Sequence, residues 1–216
     1  MVATTQDARW RCDILPVNDG ERLDSEGKSM EESGAPTALS RRLEDAITVA
    51  EDAVTQIRGF LAAVTQAESE RQATPEAWSI GEIAHHLVLV IRRSARLPQI
   101  VATQPPDRFD YADVLAKRRF DLPDLADADK GGKGVAPEVV RPAAGGDVGK
   151  LADELGTAWE DAKAEFRSLA DRDLSRYYWE HPRLGPLNLY EAIGFQGYHA
   201  LKHLAQMRRT LARVRA

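Results

Sequence analysis

Apolar residues recur at alternating spacings of four and three in several stretches of this chain, which is the pattern of helices that bury one face in a bundle. The most regular stretch follows Thr37, and its apolar positions are Leu43, Ile47, Ala50, Val54, Ile57, Leu61 and Val64. A second helix is predicted after Ser79, because Ser79 and Glu82 have the spacing of a capping box. Its apolar positions are Ile80, Ile83, Ala84, Leu87 and Ile91.

Two further helices are predicted in the second half of the chain. The third has the apolar positions Val148, Leu151, Leu155, Ala158, Ala162, Phe166 and Leu169. The fourth runs from about Leu187 nearly to the end, with the apolar positions Tyr190, Ile193, Leu201, Leu204 and Leu211. The segment from His181 to Pro186 between them is interpreted as a turn, and no convincing alternating strand pattern is present. The prediction is therefore an all-α fold, an antiparallel four-helix bundle.

The segments outside these helices divide the chain further. Residues 1–36 contain turn-forming clusters and no sustained apolar period, so they are predicted to be an N-terminal tail, flexible or loosely docked, before a bundle domain at 37–216. Pro98 is expected to bend or end the second helix. Residues 107–147 form a long connection rich in glycine and proline, with a short helix predicted from Tyr111 to Phe120. A connection of this length indicates a lid or a crossover, and a crossover is favoured.

Composition is typical of a globular protein, and the net charge limits the classes of partner that are expected. The chain is 43% hydrophobic and 29% charged, enough for one buried core in 216 residues. Its net charge of -5 gives no electrostatic reason to expect nucleic acid or an anionic membrane as a partner. Cys12 is the only cysteine, and no apolar run approaches the ~18 residues of a membrane span. A cytoplasmic location without membrane insertion is therefore expected.

The histidines carry the candidate chemistry. His199 and His203 are four apart on the fourth helix, so their side chains lie about 6 Å apart on one face. His86 on the second helix is offset from the apolar stripe and could supply a third ligand. Three neutral imidazoles would suit zinc, nickel or ferrous iron, with coordination positions left open. On spacing alone such a pair is more often two partly exposed helix residues, and the adjacent His85 leaves the ligand on the second helix ambiguous.

Other metal motifs fit poorly. The residue after His199 is Ala200 rather than the glutamate that a zinc protease helix uses as general base. A di-iron carboxylate bundle needs two Glu-x-x-His motifs, and only Glu82 to His85 has this spacing.

Two segments together resemble the DinB/YfiT-like superfamily. One runs from Trp78 to Leu87, and the other runs from His181-Pro182-Arg183-Leu184-Gly185 into Phe195, His199, His203 and Leu204. The resemblance covers about Thr37 to the C-terminus and implies a four-helix bundle in which His86, before Leu87, and the pair His199 and His203 hold a divalent metal. At 1.5 Å per residue, His86 lies about 10 Å past its cap and the pair about 18 to 24 Å into the last helix, so a stagger of these helices is expected.

The resemblance also implies the class of activity. Members of this superfamily catalyse metal-dependent hydrolysis or transfer of a low-molecular-weight thiol, so the leading hypothesis is an enzyme that uses the three-histidine metal on a small organic substrate. No general base stands out, since Glu82, His85, His181 and Tyr190 are candidates only by proximity to the motifs, and His181 is interpreted first as a turn residue. The competing hypothesis is a non-enzymatic bundle with a structural metal, acting through a homodimer or a stress-related assembly.

Overall fold

The computed structural model describes residues 37–118, 121–127, 135–142 and 145–216. The predicted tail at 1–36 lies outside these residues. Numbered in chain order, the elements are α1 (Ala38–Ala62), α2 (Gln66–Glu70), α3 (Ile80–Ser94), α4 (Pro98–Thr103), α5 (Tyr111–Lys117), α6 (Val148–Arg167), β1 (Tyr178–His181), β2 (Gly185–Asn188) and α7 (Leu189–Arg215). Short 3-10 helices lie at Leu122–Ala126, Glu138–Val140 and Leu174–Arg176. The four long helices confirm the predicted all-α bundle.

Local capping fixes where the long helices begin. Ser79 accepts a hydrogen bond from the backbone N–H of Glu82, whose carboxylate accepts one from the backbone N–H of Ser79, as the sequence predicts. Asn188 and Glu191 form the same reciprocal pair at the start of α7. These pairs satisfy backbone donors that would otherwise lack a partner in the first turn of each helix.

The core lies where the apolar stripes of the four long helices meet. All seven apolar positions predicted for the first helix and its end are buried, as are those predicted for the second and third helices. On α7 the prediction holds for Tyr190, Ile193 and Leu204, whereas Leu201 and Leu211 are only partly buried. None of the helices within the described residues combines the length and apolar character needed to cross a membrane.

The order of the helices around the bundle differs from their order along the chain. Both α1 and α3 pack against α6 and α7, so α1 and α3 lie on one diagonal. Antiparallel packing holds for α1 with α6 and for α3 with α7, whereas α1 with α7 and α3 with α6 are parallel. The contacts that give these directions are Glu44–Arg167 and Glu51–Lys163 for α1 and α6, Arg42–Tyr190 and Val49–Gly197 for α1 and α7, and Gly81–Gly145 and Arg92–Glu154 for α3 and α6.

This arrangement explains the stagger that the histidine positions require. Because α3 and α7 run in opposite directions, the start of α3 and the end of α7 lie at the same end of the bundle. The positions of His86 and His203 can therefore be compared as distances from that end. His86 lies about 9 Å from the start of α3, and His203 about 18 Å from the end of α7. The end of α7 therefore extends past the start of α3, where Arg215 forms an ion pair with Glu68 of α2.

A parallel pair of neighbouring helices needs a crossover connection, and the segment between α3 and α6 provides it. It docks on the end of the bundle through an ion pair between Arg118 and Glu191, whose side chains are 9% and 13% exposed. Tyr111 of α5 donates a hydrogen bond to the same carboxylate. The predicted crossover and its short helix are therefore confirmed, and α5 ends at Lys117.

Two local expectations need correction. Pro98 does not end the second helix, since α3 already ends at Ser94 and Pro98 is the first residue of α4, where a missing N–H costs nothing. The segment interpreted only as a turn is the tip of an antiparallel hairpin, in which His181 of β1 pairs with Gly185 of β2. Gly185 has a φ of +78°, which a residue without a Cβ adopts readily.

Candidate metal centre

Antiparallel packing of α3 and α7 brings His86, His199 and His203 together. The centroids of their rings are 4.6 to 5.4 Å apart. One ligand nitrogen from each ring lies within 4.8 Å of those of the other two. His85 does not belong to this group, so the structure brings the second histidine of the doublet to the helical pair.

The spacing of the nitrogens suits a shared divalent cation. The Nε2 atoms of His199 and His203 are 3.1 Å apart. Two nitrogens bound tetrahedrally at zinc distances of 2.0 to 2.1 Å would be about 3.3 Å apart. Small rotations of the side chains would therefore bring these two atoms to ligand positions, and the third imidazole lies within reach of the same point.

Hydrogen bonds orient two of the three rings. His86 Nδ1–H donates to the carbonyl oxygen of Val140 at 2.6 Å, and this fixes the tautomer that leaves Nε2 unprotonated. His203 Nδ1 is 2.9 Å from Oε1 of Gln206, one turn further along α7. Partners of this kind on the far nitrogen hold a metal-ligating histidine in place. His199 Nδ1 has no hydrogen-bond partner within the described residues.

Aromatic side chains pack against the group from two sides. Phe195 stacks on His199 with ring centroids 5.4 Å apart and an interplanar angle of 21°. Trp78 lies against His86 at 5.1 Å. Trp78 directly precedes Ser79, the N-cap residue of α3, so it lines the histidine group from the start of that helix.

The environment keeps all three imidazoles neutral. Burial lowers the pKa of His86, and hydrogen bonding to Val140 only partly offsets it. Burial lowers the pKa of His203 to about 3 and holds the pKa of His199 well below its ordinary range, since nearby imidazoles add to the effect. Neutral imidazoles are the form that binds metal.

The β-hairpin places a fourth histidine beside this group. His181 at the end of β1 packs edge-on against Phe195, with ring centroids 5.0 Å apart, and against Trp179 at the same distance. Its Nδ1 accepts hydrogen bonds from the backbone N–H groups of Arg183 and Leu184, so it does hold the turn as predicted. Burial lowers its pKa to about 4.

The other general-base candidates are engaged elsewhere. The Glu82 carboxylate accepts hydrogen bonds from the Ser79 backbone and from Gln72 at the start of α3. Tyr190 donates to the carbonyl oxygen of Arg172 at 3.5 Å and lies beneath the guanidinium of Arg42. Neither side chain belongs to the histidine group.

Several contributors to the site were not predicted. Gln206 had a usable signal, because a residue three positions after His203 lies on the same face of the helix. The Val140 carbonyl belongs to the crossover, and no sequence pattern connects it with His86. Phe195 was noted only as part of a family motif, and its stacking on His199 depends on how α7 faces the hairpin.

Comparison with known proteins agrees with this fold. YfiT from Bacillus subtilis, described as a probable metal-dependent hydrolase with an unusual four-helix bundle topology, superposes with a TM-score of 0.53. The match covers 91% of this chain and 95% of YfiT at 17% sequence identity, which establishes similarity of fold. No curated protein sequence matches the chain. The family model of the DinB superfamily matches residues 19–207, and the chain therefore belongs to the DinB superfamily.

Proposed function

We propose that this protein is a metal-dependent hydrolase whose divalent cation is held by His86, His199 and His203. The observation that carries the proposal is the convergence of three imidazoles, without a further histidine, cysteine or carboxylate in the group among the described residues. Three protein ligands are typical of catalytic zinc sites, whereas structural sites are closed by four.

The chain's own residues supply the setting for such a reaction. Val140 and Gln206 hold two of the ligands with their far nitrogens, and Phe195 and Trp78 provide apolar walls against the group. When bound, a divalent cation at such a site lowers the pKa of water or of a thiol at its open position. The walls suit a small organic substrate rather than a highly charged one.

The fold neighbour supports hydrolysis as the reaction class. YfiT carries the description of a probable metal-dependent hydrolase, and its fold extends over nearly all of the present chain. Hydrolysis needs water and a metal as its only additional components, and both suit an open three-histidine site. Zinc, nickel and iron all accept imidazole ligands, so the metal is proposed only as a divalent cation.

The first experiment measures metal content. His86→Ala, His199→Ala and His203→Ala should each reduce stoichiometric metal to a small fraction, because two imidazoles rarely retain a cation against buffer. His85→Ala is the matched control and should keep the parental content. Elemental analysis of untagged protein gives the result, and circular dichroism checks that the helices persist. Equal metal content in the parent and all three variants would remove the assignment.

A second experiment separates hydrolysis from thiol transfer and from a structural metal. Cobalt(II) replaces the native metal, and its visible spectrum reports the ligands. A spectrum that changes with pH in the absence of thiol indicates an exchangeable water and supports the hydrolase. A change only on addition of glutathione, bacillithiol or mycothiol would favour thiol transfer. A spectrum that responds to neither would indicate a closed structural site and contradict the proposal.

A further inference from the structure

His181 lies near the proposed metal centre, and the proposed metal binding does not use it. It ends β1, and its side chain turns back onto the hairpin tip, where Nδ1 accepts the backbone N–H groups of Arg183 and Leu184, both at 3.1 Å. An imidazole nitrogen that accepts two hydrogen bonds cannot carry a proton. The neutral ring therefore carries its proton on Nε2, and the tautomer is set by the backbone of the turn.

The ring is also held in a fixed direction. Trp179 and Phe195 both contact it edge-on, at centroid distances of 5.0 Å and interplanar angles of 85° and 65°. Phe195 in turn stacks on His199, so a single aromatic ring separates His181 from a candidate metal ligand. The hairpin thus carries an N–H group on a fixed ring, one aromatic ring away from His199.

The Nε2–H group is available to a ligand. His181 is half-buried, and within the described residues both hydrogen bonds of its ring are made by Nδ1. A polar N–H group in a partly buried aromatic setting usually has a partner, which can be solvent or a bound molecule. Neither Trp179 nor Phe195 offers an acceptor atom, so the partner of this N–H group is solvent or a bound molecule.

We infer that His181 donates its Nε2–H to the acyl oxygen of the substrate, an inference that rests on the proposed hydrolase function. The substrate class is accordingly a neutral acyl compound, an ester or amide, whose carbonyl oxygen gains negative charge as water adds to the acyl carbon. A fixed donor placed at such an oxygen stabilises the transition state more than the ground state. A multiply charged substrate would lose too much hydration against Trp179 and Phe195.

Hydrolysis in this arrangement balances without further reactants. Water adds its oxygen to the acyl carbon, the bond from that carbon to the leaving group breaks, and the leaving group takes up a proton. His181 neither gains nor loses a proton overall, because its role is hydrogen-bond donation. Its two nitrogens therefore have separate tasks, with Nδ1 holding the turn and Nε2 facing the acyl oxygen.

Asparagine at this position separates the two tasks. In His181→Asn the side-chain oxygen can still accept the turn N–H groups from the Nδ1 position, while the donor at the Nε2 position is removed. Acetohydroxamate is the probe, because it binds open metal sites and presents an acyl oxygen. Binding to the zinc-loaded full-length chain should weaken about ten- to hundredfold in His181→Asn, with zinc content unchanged. His85→Asn should bind the probe as the parent does.

Nitrogen-15 NMR of the parent protein tests the tautomer independently of any variant. The His181 signals at neutral pH should show a protonated Nε2 and an unprotonated Nδ1, and the Nε2 signal should shift when acetohydroxamate is added. A protonated Nδ1 would overturn the inference even if His181→Asn failed to fold.

The outcomes distinguish this inference from the proposed function. Zinc-loaded parent and His181→Asn with equal affinity for acetohydroxamate would overturn the role of His181 and leave the metal centre intact. A zinc-loaded parent that does not bind the probe would also overturn it, because the site would not admit an acyl group. A parent that holds no stoichiometric metal would instead refute the proposed function, and elemental analysis identifies that case before any probe is added.

Discussion

At the scale of single residues, the three histidines of the candidate metal centre are held in different ways. His86 and His203 have hydrogen-bond partners on their far nitrogens, whereas His199 Nδ1 has none within the described residues. The position of His199 therefore depends on the ring of Phe195 stacked against it. Packing here takes the place of the hydrogen bond that usually orients a metal-ligating imidazole.

Phe195→Leu should consequently weaken metal binding. The smaller side chain removes the flat surface on which His199 rests, and loss of an orienting contact costs about tenfold or more in metal affinity. Phe166→Leu is the matched control, because Phe166 is also buried against an aromatic ring but lies on α6 beside Trp159. Competition with a chromophoric chelator measures both affinities. Equal metal affinity in the two variants would contradict the orienting role of Phe195.

The residues of the candidate site could be predicted from the sequence only in part. The pair His199 and His203 follows from helical spacing, and the family resemblance selected His86 over its neighbour. Spacing along one helix cannot indicate contacts from a distant segment, so the hydrogen bond between His86 and the Val140 carbonyl could not be predicted. The tautomer of His181 depends on a hairpin tip that was interpreted as an ordinary turn.

At the scale of secondary-structure elements, a glycine sets how closely α1 and α7 approach. A Cβ built on Gly197 would lie 2.5 Å from the carbonyl oxygen of Val49, closer than two such atoms can approach. A Cβ on Gly194, one turn earlier on α7, would meet nothing within 4 Å. The two glycines therefore have opposite roles in the same helix.

Gly197→Ala should destabilise the protein by about 1–3 kcal/mol, because the methyl group forces α1 and α7 apart. Gly194→Ala should leave stability unchanged or raise it by about 0.5–1 kcal/mol, since alanine favours helix over glycine. Urea unfolding followed by circular dichroism measures both free energies. A Gly197→Ala protein as stable as Gly194→Ala would show that the helices separate without cost.

The ion pair of Arg118 with Glu191 connects the crossover to the start of α7. Glu191→Gln should keep the capping box of α7, because glutamine also serves at that position, but it leaves the buried guanidinium of Arg118 without its counter-charge. Breaking a buried ion pair costs about 3 kcal/mol or more. Glu82→Gln makes the same change in the capping box of α3, where no arginine of the described residues pairs with it, and should cost less than about 1 kcal/mol.

Urea unfolding measures the free energy of unfolding of both variants, Glu191→Gln and Glu82→Gln. A loss of equal size in both variants would mean that capping alone, and not the ion pair, explains the effect at Glu191.

The sequence predicted the long helices but not the short strands. The start of α3 was predicted because a capping box is a local pattern, and the four helices were predicted because each repeats its apolar spacing several times. Strands β1 and β2 are four residues each, too short for an alternating pattern to stand out. Pro98 was expected to bend or end the second helix because proline disrupts a helix interior, whereas it occupies the first position of α4, which proline favours.

At the scale of the whole molecule, buried neutral histidines link stability to pH. The folded-state pKa values of His86, His181 and His203 lie below the ordinary value of 6.5, with His181 at about 4 and His203 at about 3. The unfolded chain therefore binds more protons than the folded chain as the pH falls below 6.5. By linkage, the folded state loses stability on acidification through this range.

The metal-free protein should accordingly unfold at lower urea concentration at pH 5 than at pH 7. Each of these histidines contributes a loss of at most about 1.4 kcal/mol per pH unit below 6.5. Urea midpoints at pH 7, 6 and 5 in the presence of a chelator give the trend. Carboxylates titrate mainly below this window, so a midpoint that stays constant or rises towards pH 5 would refute the linkage.

The bundle itself was predicted, but the order of its helices was not. An amphipathic stripe predicts that a helix buries one face, but it does not predict which neighbouring helix covers that face. The long connection indicated a crossover, and a crossover implies a parallel pair, yet only the contacts between α3 and α6 identify the pair. The predicted division at residue 37 stays a prediction, because the tail lies outside the described residues.

The distribution of the proposed ligands along the chain also determines when the site can form. His86 and His199 are separated by more than a hundred residues, and the carbonyl that orients His86 belongs to the segment between them. During synthesis, the first ligand leaves the ribosome long before the last helix exists. The proposed chelate can form only after His203 has been synthesised and α7 has packed against α3, so the last helix completes the site.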